Sequence, residues 1–195
     1  MAAVSVYKSK YKFKGGVHPQ EMQPLPPVLP IKSIPLAAQL VIPLKQHIGQ
    51  QNEPCVAIGD KVLKGQRIAS GCAPVHSSTS GIIADIGPHP AVNQTNLLER
   101  AISITPDGKQ EWIELSGITD YLSQPKDTLL DAIAKAGIVG LGGAGFPAIT
   151  KLKAGQIDTI IVNAVECEPY INADNALMQT QATHIITGLS IVVHI

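Results

Sequence analysis

The sequence predicts a mixed α+β / α/β fold, in which a small all-β unit precedes part of an α/β unit. Residues 39 to 115 hold short β-branched and apolar runs separated by turn residues, a spacing typical of a compact all-β unit. After residue 116 the pattern changes to helical periodicity on both sides of one apolar run, which is α/β organisation. With 195 residues, 45% of them hydrophobic, the chain has material for one sizeable core or two small ones.

The first 38 residues are predicted to be a basic arm followed by a proline-rich extension. Lysines alternate with aromatic or small residues in 7–16, a pattern more typical of a solvated terminal arm than of a binding site. Seven prolines between 19 and 43 exclude a helix or central strand through most of that stretch. The apolar residues between them are expected to lie on the protein's own core: Leu25, Val28, Leu29 and Ile31.

Composition and charge exclude several classes of function. Fifteen basic residues balance fifteen acidic ones, so we expect no nucleic-acid partner. The three cysteines are widely separated, without the C-x-x-C spacing of a zinc, iron–sulfur or redox site, and they fit a reducing compartment. The N-terminus lacks the apolar region of a signal peptide, and no apolar run is long enough to span a bilayer. We expect no metal site and no direct membrane span.

The all-β unit is predicted to occupy residues 39 to 115. Its expected strands lie within 39–44, 54–58, 66–70, 81–86 and 100–109. The stretches G-D-K-V-L-K-G-Q-R-I-A (59–69) and A-P-V-H-S-S-T-S-G-I-I-A-D-I (73–86) resemble the repeat of biotinyl and lipoyl domains, the barrel-sandwich hybrid. This resemblance implies that the glycines of the first stretch lie at tight turns and that Val62 faces the core.

Carrier domains of that type present a modifiable lysine at a hairpin tip. The corresponding tip here is H-S-S-T-S-G (76–81), which has no lysine, so we do not expect covalent biotin or lipoate. His76 in this tip could be a ligand, but a single loop histidine is more often solvated, and that interpretation is favoured.

Residues 116 to 195 are predicted to form the first part of an α/β domain. Asp127 is expected to cap a helix with Leu129, Leu130, Ile133 and Ala134 on one face, ending at Gly137. A short helix is expected at 148–153 and an apolar strand at 158–164. A further helix should begin near Asp174. It carries the apolar residues Leu177, Met178, Ile185 and Ile186.

The stretch G-L-G-G-A-G-F-P (140–147) satisfies the pattern G-x-G-x-x-G. A dinucleotide fingerprint also needs a strand leading into the loop, a helix leaving it, and an acidic residue roughly 20 positions later. Glu166 meets the last condition, but the predicted helix ends at Gly137 and leaves only Ile138 and Val139 for a strand. An ordinary Rossmann unit is therefore disfavoured.

The glycines still need an explanation. A loop without Cβ atoms lets backbone N–H groups approach an anion or a flat ring. Phe146 offers a face for a planar base, and Lys151 could place a positive charge near a phosphate or a reduced flavin. The alternative is that the glycines serve only close packing.

The two motifs G-L-G-G-A-G-F-P and N-A-V-E-C-E-P (163–169) resemble the flavin and NADH site of the NADH-oxidising subunit of respiratory complex I. The chain is more similar to the RnfC subunit of the Rnf ion-translocating electron-transport complex. Residues that carry this similarity lie at 13–19, 42–49, 59–66, 73–81 and 166–170. Leu141 and Val165 depart from complex I, which has an arginine and an acidic residue there.

The resemblance implies a cofactor site for FMN and NADH, with no residue acting as a catalytic acid or base. Four glycines would lie against FMN and the dinucleotide, Phe146 would face the NADH base, and Lys151 would contact the flavin or its phosphate. The remaining residues would line the flavin and nicotinamide. The implied set is Gly140, Gly142, Gly143, Gly145, Phe146, Lys151, Asn163, Glu166 and Glu168. Cys167 between the glutamates is interpreted as a small packed residue rather than a redox cysteine.

The resemblance also implies a peripheral subunit at the cytoplasmic face of the bacterial inner membrane, assembled with other subunits of a membrane electron-transport complex. Such a subunit would be an oxidoreductase that oxidises NADH through FMN and passes electrons onward. The [4Fe–4S] clusters of the family are expected beyond this chain, which looks like an N-terminal fragment. Two alternatives stay open: a soluble flavoprotein reductase of the cobalamin reductase type, and a non-catalytic docking module.

Overall fold

The computed structural model describes residues 31–90, 97–153, 155, 157–167 and 171–195. The basic arm and most of the proline-rich extension, including Leu25, Val28 and Leu29, lie outside these residues, as does Glu168. Residues 31–38 have no regular secondary structure. Ile31 is 59% exposed, so the prediction that it lies on the core was wrong. The described part of the chain forms seven strands and then three α-helices.

Four strands form the larger sheet, in the order β1-β7-β6-β3, with every neighbouring pair antiparallel. Their bounds are β1 Leu40–Pro43, β3 Lys61–Val62, β6 Gly81–Pro90 and β7 Leu98–Pro106. β6 and β7 are the longest strands, and their pairing shifts register between Ile83 and Asp85. A shift of this kind is a β-bulge, which bends the strand and helps a small sheet to curl.

The smaller sheet has the antiparallel order β2-β4-β5, with β2 Glu53–Pro54, β4 Arg67–Ser70 and β5 Val75–His76. The core of the β unit contains residues from both sheets, and burial of each Ile or Leu stabilises the fold by about 1.5–3 kcal/mol. The core residues are Ile42, Leu44, Val62, Ile68, Ala69, Val75, Ile83, Ile102 and Ile104.

The turns of the β unit agree with the barrel-sandwich hybrid prediction. Gly59 and Gly65 have φ of +92° and +82°, a left-handed conformation that favours glycine. Val62 faces the core and is 2% exposed. The strand predicted at 54–58 was misplaced, because the Asp60 carboxylate accepts a hydrogen bond from the Ala57 N–H at 2.8 Å and so stabilises a turn there.

The hairpin tip after β5 is covered by the chain that follows β7. Ser77, Thr79 and Ser80 are all buried. The Ser80 hydroxyl donates to Asp107 Oδ1 at 2.7 Å, and Gln110 Nε2 donates to the Thr79 hydroxyl at 2.6 Å. The tip that carrier domains expose is therefore part of the internal hydrogen bonding of this unit.

Helix α1 covers Lys126–Lys135 and packs against the short helix α2, Ala148–Leu152. The prediction that Asp127 caps α1 was wrong: Pro125 is the N-cap residue, and Asp127 lies in the first turn. The predicted end is confirmed, since Gly137 has φ of +67° directly after the C-cap residue. Helix α3 covers Ala173–His194 and is kinked at Gln181, which has non-helical backbone angles.

The strand predicted at 158–164 is wrong for this structure, where the described residues 157–167 have no regular secondary structure. A strand needs a neighbour for its backbone hydrogen bonds, and no described segment pairs with this one. Its apolar residues stay accessible, with Ile161 84% and Val162 54% exposed. The mixed α+β class is confirmed, while the α/β part of these residues is incomplete.

Among the described residues, no helix has the length and apolar character needed to cross a membrane.

Candidate functional site

The glycine-rich loop at 140–147 is closed at its base by backbone hydrogen bonds. The Gly140 N–H donates to Phe146 O at 2.8 Å, and the Ala148 N–H donates to Ile138 O at 2.9 Å. An isolated bridge between Val139 and Pro147 completes the closure. The loop thus follows the end of α1 rather than a strand, which confirms that this is not an ordinary Rossmann unit.

A cavity of about 520 Å³ lies between this loop and residues 163–167. Gly142 and Gly143 line it, and a Cβ built on either residue would meet nothing within 4 Å. Gly143 has φ of +112°, which L-amino acids rarely adopt. The loop therefore presents bare backbone to a space within the size range of small-molecule sites, about 300–1,000 Å³.

The opposite wall of the cavity is polar and held by the backbone. Glu166 Oε1 accepts a hydrogen bond from the Asn175 N–H at 3.1 Å, near the start of α3. Asn163 Oδ1 accepts one from the Val165 N–H at 3.0 Å. Asp174 also lines the space. The described lining thus carries two carboxylates and no basic side chain, which favours ligand hydroxyl and amide donors over a phosphate at this wall.

The structure brings together four of the predicted site residues: Gly142, Gly143, Asn163 and Glu166. Two others form a separate pair, in which the Lys151 ammonium lies over the Phe146 ring, 5.5 Å from its centroid. Lys151 lines a different cavity, of about 690 Å³, that also contains Asp158. Gly140 closes the base of the loop.

Gly145 faces the β unit rather than the cavity. A Cβ on Gly145 would lie 2.7 Å from Gln46 O, and φ at this residue is +58°. The Ile48 N–H donates to Gly145 O at 3.3 Å. The sequence prediction did not include the Gln46–Ile48 turn, although the shared motif I-P-L-K-Q-H-I-G at 42–49 was a signal that it is needed.

His76 also joins the two parts of the chain. It is half-buried and hydrogen-bonds the backbone carbonyl of Lys135 near the end of α1. Burial lowers the pKa of His76 below its usual value, and the positive charge of Arg67 lowers it further. The prediction of a solvated loop histidine was wrong, because this side chain is covered by the junction with α1.

Cys167 lines the cavity and is exposed. The interpretation of Cys167 as a packed residue behind the site was therefore wrong. The three cysteines are free, and no group of three or more His, Cys, Asp or Glu residues that could hold a metal ion occurs within the described ranges.

The fold and the loop define a barrel-sandwich hybrid joined to part of a flavin-type domain, and comparison with known families agrees. Residues 11–109 match the family described as the RnfC barrel sandwich hybrid domain, and residues 133–195 match the Nuo51 FMN-binding domain. The chain belongs to the RnfC family.

Curated relatives, named as the RnfC member of an ion-translocating oxidoreductase complex, are 45% identical to this chain over 190 residues. They include proteins of Salmonella gallinarum (strain 287/91 / NCTC 13346) and Salmonella enteritidis PT4 (strain P125109). The match covers 95% of this chain, but 28% and 27% of the two relatives. The chain thus spans little more than a quarter of the length of the relatives it matches.

Proposed function

We propose that the cavity between the glycine loop and residues 163–167 is one wall of an FMN site in an NADH-oxidising subunit. The observation that carries this proposal is the bare backbone of Gly142 and Gly143 facing a polar wall across a cavity of about 520 Å³. The match of residues 133–195 to an FMN-binding domain supports it.

The polar wall indicates which part of the ligand it meets. Carboxylates such as Glu166 accept hydrogen bonds from ribityl or ribose hydroxyls and from a carboxamide, and they repel phosphate. We therefore assign hydroxyl or carboxamide recognition to Glu166 and Asn163, with Glu168 as a further proposed member of this wall. Because Asn175 holds the Glu166 carboxylate, little rotamer freedom remains to be lost when the ligand binds.

The basic contribution is proposed for Lys151, outside this wall. Its ammonium group is exposed and lies beside the Phe146 ring. Lys151 would meet the phosphate or the reduced flavin, and Phe146 would offer its face to the nicotinamide nucleotide. Gly140 and Gly145 contribute by fixing the loop between them.

Bound FMN would supply hydride acceptance from NADH, and the protein would supply distance, orientation and electrostatics. Electrons would pass to iron–sulfur clusters held outside these residues, coupled to ion translocation by a membrane complex. We place the protein at the cytoplasmic face of the inner membrane, bound through other subunits. The curated names of the relatives support this assignment over a soluble reductase or a docking module.

The test uses a full-length subunit that contains this chain, titrated with FMN while flavin fluorescence is recorded. Gly142→Ala adds one methyl group that meets no protein atom within 4 Å, at a residue that lines the cavity. We expect about ten-fold weaker FMN binding with unchanged thermal stability. Gly117→Ala is the control, because its Cβ also meets nothing within 4 Å and the residue is not among those that line this cavity.

Anaerobic addition of NADH then tests the redox function. The wild-type protein should show saturable bleaching of the bound flavin. A full-length subunit that binds no FMN, or equal binding by the Gly142→Ala and wild-type proteins, would exclude the proposed site.

A further inference from the structure

The barrel-sandwich hybrid contacts the glycine loop directly through one turn. Residues 46–48 lie against Gly145, whose carbonyl accepts the Ile48 N–H at 3.3 Å. Only glycine fits here, since an added Cβ would be 2.7 Å from Gln46 O and 3.0 Å from His47 Cα. The direction of the loop therefore depends on the conformation of this turn.

His47 lies inside the turn and is 5% exposed. Its Nδ1 lies 3.1 Å from Ile48 O. A carbonyl oxygen only accepts hydrogen bonds, so Nδ1 carries the proton and donates it. The same residue, Ile48, then offers its N–H to Gly145. The His47 imidazole is thus connected to the glycine loop through a single peptide unit on each side of Ile48.

The other ring nitrogen faces a different environment. Nε2 of His47 is buried and has no hydrogen-bond partner among the described residues. His47 lines a cavity of about 190 Å³ at the junction, together with His76 and Gly137. An unpaired buried nitrogen costs stability. A purely structural position would be filled more favourably by an apolar residue.

The second end of the loop region is held in the same way. A Cβ on Gly137 would collide with the Pro74 carbonyl oxygen, and His76 hydrogen-bonds the Lys135 carbonyl. The β unit therefore holds the chain just before the loop and at its last glycine. Between these two contacts lie the residues that face the candidate flavin cavity.

We propose that His47 is a positioning residue, which fixes the Gln46–Ile48 turn and thereby holds the glycine loop in its ligand-binding shape. It touches neither flavin nor nucleotide and acts through Ile48 and Gly145. The consequence for FMN rests on the proposed function, whereas the contact itself can be tested without ligand. The barrel-sandwich hybrid then serves as a support for the flavin loop rather than as a carrier.

The experiment compares variants of a full-length subunit that contains this chain. Hydrogen–deuterium exchange of peptides covering 140–147 is measured without ligand, and the FMN dissociation constant is measured by fluorescence. His47→Ala should speed exchange in that loop and raise the FMN dissociation constant about ten-fold. Peptides covering 98–106 should exchange at the wild-type rate.

Two further variants separate positioning from general stability. His47→Asn keeps an amide donor at the place of Nδ1, so it should restore most of the slow exchange and of the FMN affinity. His89→Ala removes another partly buried histidine, which hydrogen-bonds Asp85 within the β unit at 2.9 Å. His89→Ala should leave both the loop exchange and the FMN affinity unchanged.

The proposal is overturned if His47→Ala leaves the exchange of 140–147 at the wild-type rate, or if His47→Asn is as impaired as His47→Ala in a folded protein. If the wild-type protein binds no FMN, the proposed function fails, but the exchange comparison still decides the role of His47. The Gly145→Ala variant checks the same contact from the loop side. It should reproduce the faster exchange of His47→Ala.

Discussion

The ammonium group of Lys151 lies over the ring of Phe146, 5.5 Å from the ring centroid. The two residues lie on either side of the start of α2, so five positions of chain bring a cation and an aromatic face together. An exposed cation–π contact of this kind is worth about 0.5–1 kcal/mol. It is weak enough for Lys151 to leave the ring and meet an anionic ligand.

Replacing Lys151 tests its proposed contact with the cofactor. Lys151→Met should lower FMN affinity about ten-fold, because a charge-assisted contact is lost. The salt dependence of binding should also become flatter. Lys153→Met is the matched control, since Lys153 is exposed just after the same helix. Equal losses in both variants would show that Lys151 acts only through general charge.

Gly137→Ala should destabilise the junction between the β unit and α1. The added methyl group collides with the Pro74 carbonyl oxygen, and φ at this position is +67°. Gly108→Ala is the control, because φ there is +77° but the methyl group meets nothing within 4 Å. Backbone strain should cost both variants about 1–2 kcal/mol in the free energy of unfolding.

The clash should cost Gly137→Ala about 1–3 kcal/mol more than the control, as measured by urea denaturation. Equal unfolding midpoints for the two alanine variants would mean that α1 does not pack on Pro74 in solution.

Much of the β unit could be predicted from the sequence, because its turns carry their own signals. Gly59 and Gly65 mark positive-φ turns, and Val62 follows the alternation expected of a strand with one buried face. The segment 158–164 was predicted wrongly because its apolar composition indicates burial without naming a partner. Pairing is a tertiary property, and the described residues supply no neighbouring strand.

The pKa of His76 predicts a pH dependence of stability. Burial and Arg67 lower this pKa in the folded state, so the unfolded chain binds the proton more readily. The stabilisation is therefore complete above the ordinary histidine pKa of about 6.5 and is lost as the pH falls below it. Urea midpoints of the wild-type protein should fall between about pH 7.5 and about pH 5.

His76→Gln should show less of this fall, because glutamine can donate to the Lys135 carbonyl without titrating. A variant with the same pH profile as the wild-type protein would assign the effect to other groups.

The hydrogen bonds that cover the hairpin tip predict acid sensitivity of the β unit. The Ser80 hydroxyl, and then the Lys109 N–H, donate to the Asp107 carboxylate and lower its pKa. This contribution is present above the ordinary pKa of about 4 and is lost as the pH falls through the lower folded value. Asp107→Asn should flatten the acid limb of a stability profile.

Ser80→Ala should cost more at neutral pH than Asp107→Asn. Ser80 is fully buried, and its hydroxyl also accepts the Glu111 N–H at 3.0 Å. Losing both bonds should destabilise the protein by about 1–3 kcal/mol, measured by thermal or urea unfolding. A smaller loss than that of Asp107→Asn would contradict the idea that the tip is held from inside.

The candidate site was predictable only where a residue's chemistry is visible in its own motif. Bare glycine backbone and paired carboxylates pointed to Gly142, Gly143 and Glu166, which line one cavity. The role of Gly145 was hidden, because it depends on a turn about one hundred positions earlier in the chain. His47 was equally hidden, since nothing in the motif around it shows which element it faces.

The most direct test of the flavin site is a structure of a full-length subunit that contains this chain, determined with FMN bound. We expect the flavin against the backbone of Gly142 and Gly143, with Glu166 within hydrogen-bonding distance of a ligand hydroxyl or amide. Flavin bound elsewhere, with no ligand between the glycine loop and residues 163–167, would contradict the proposed site.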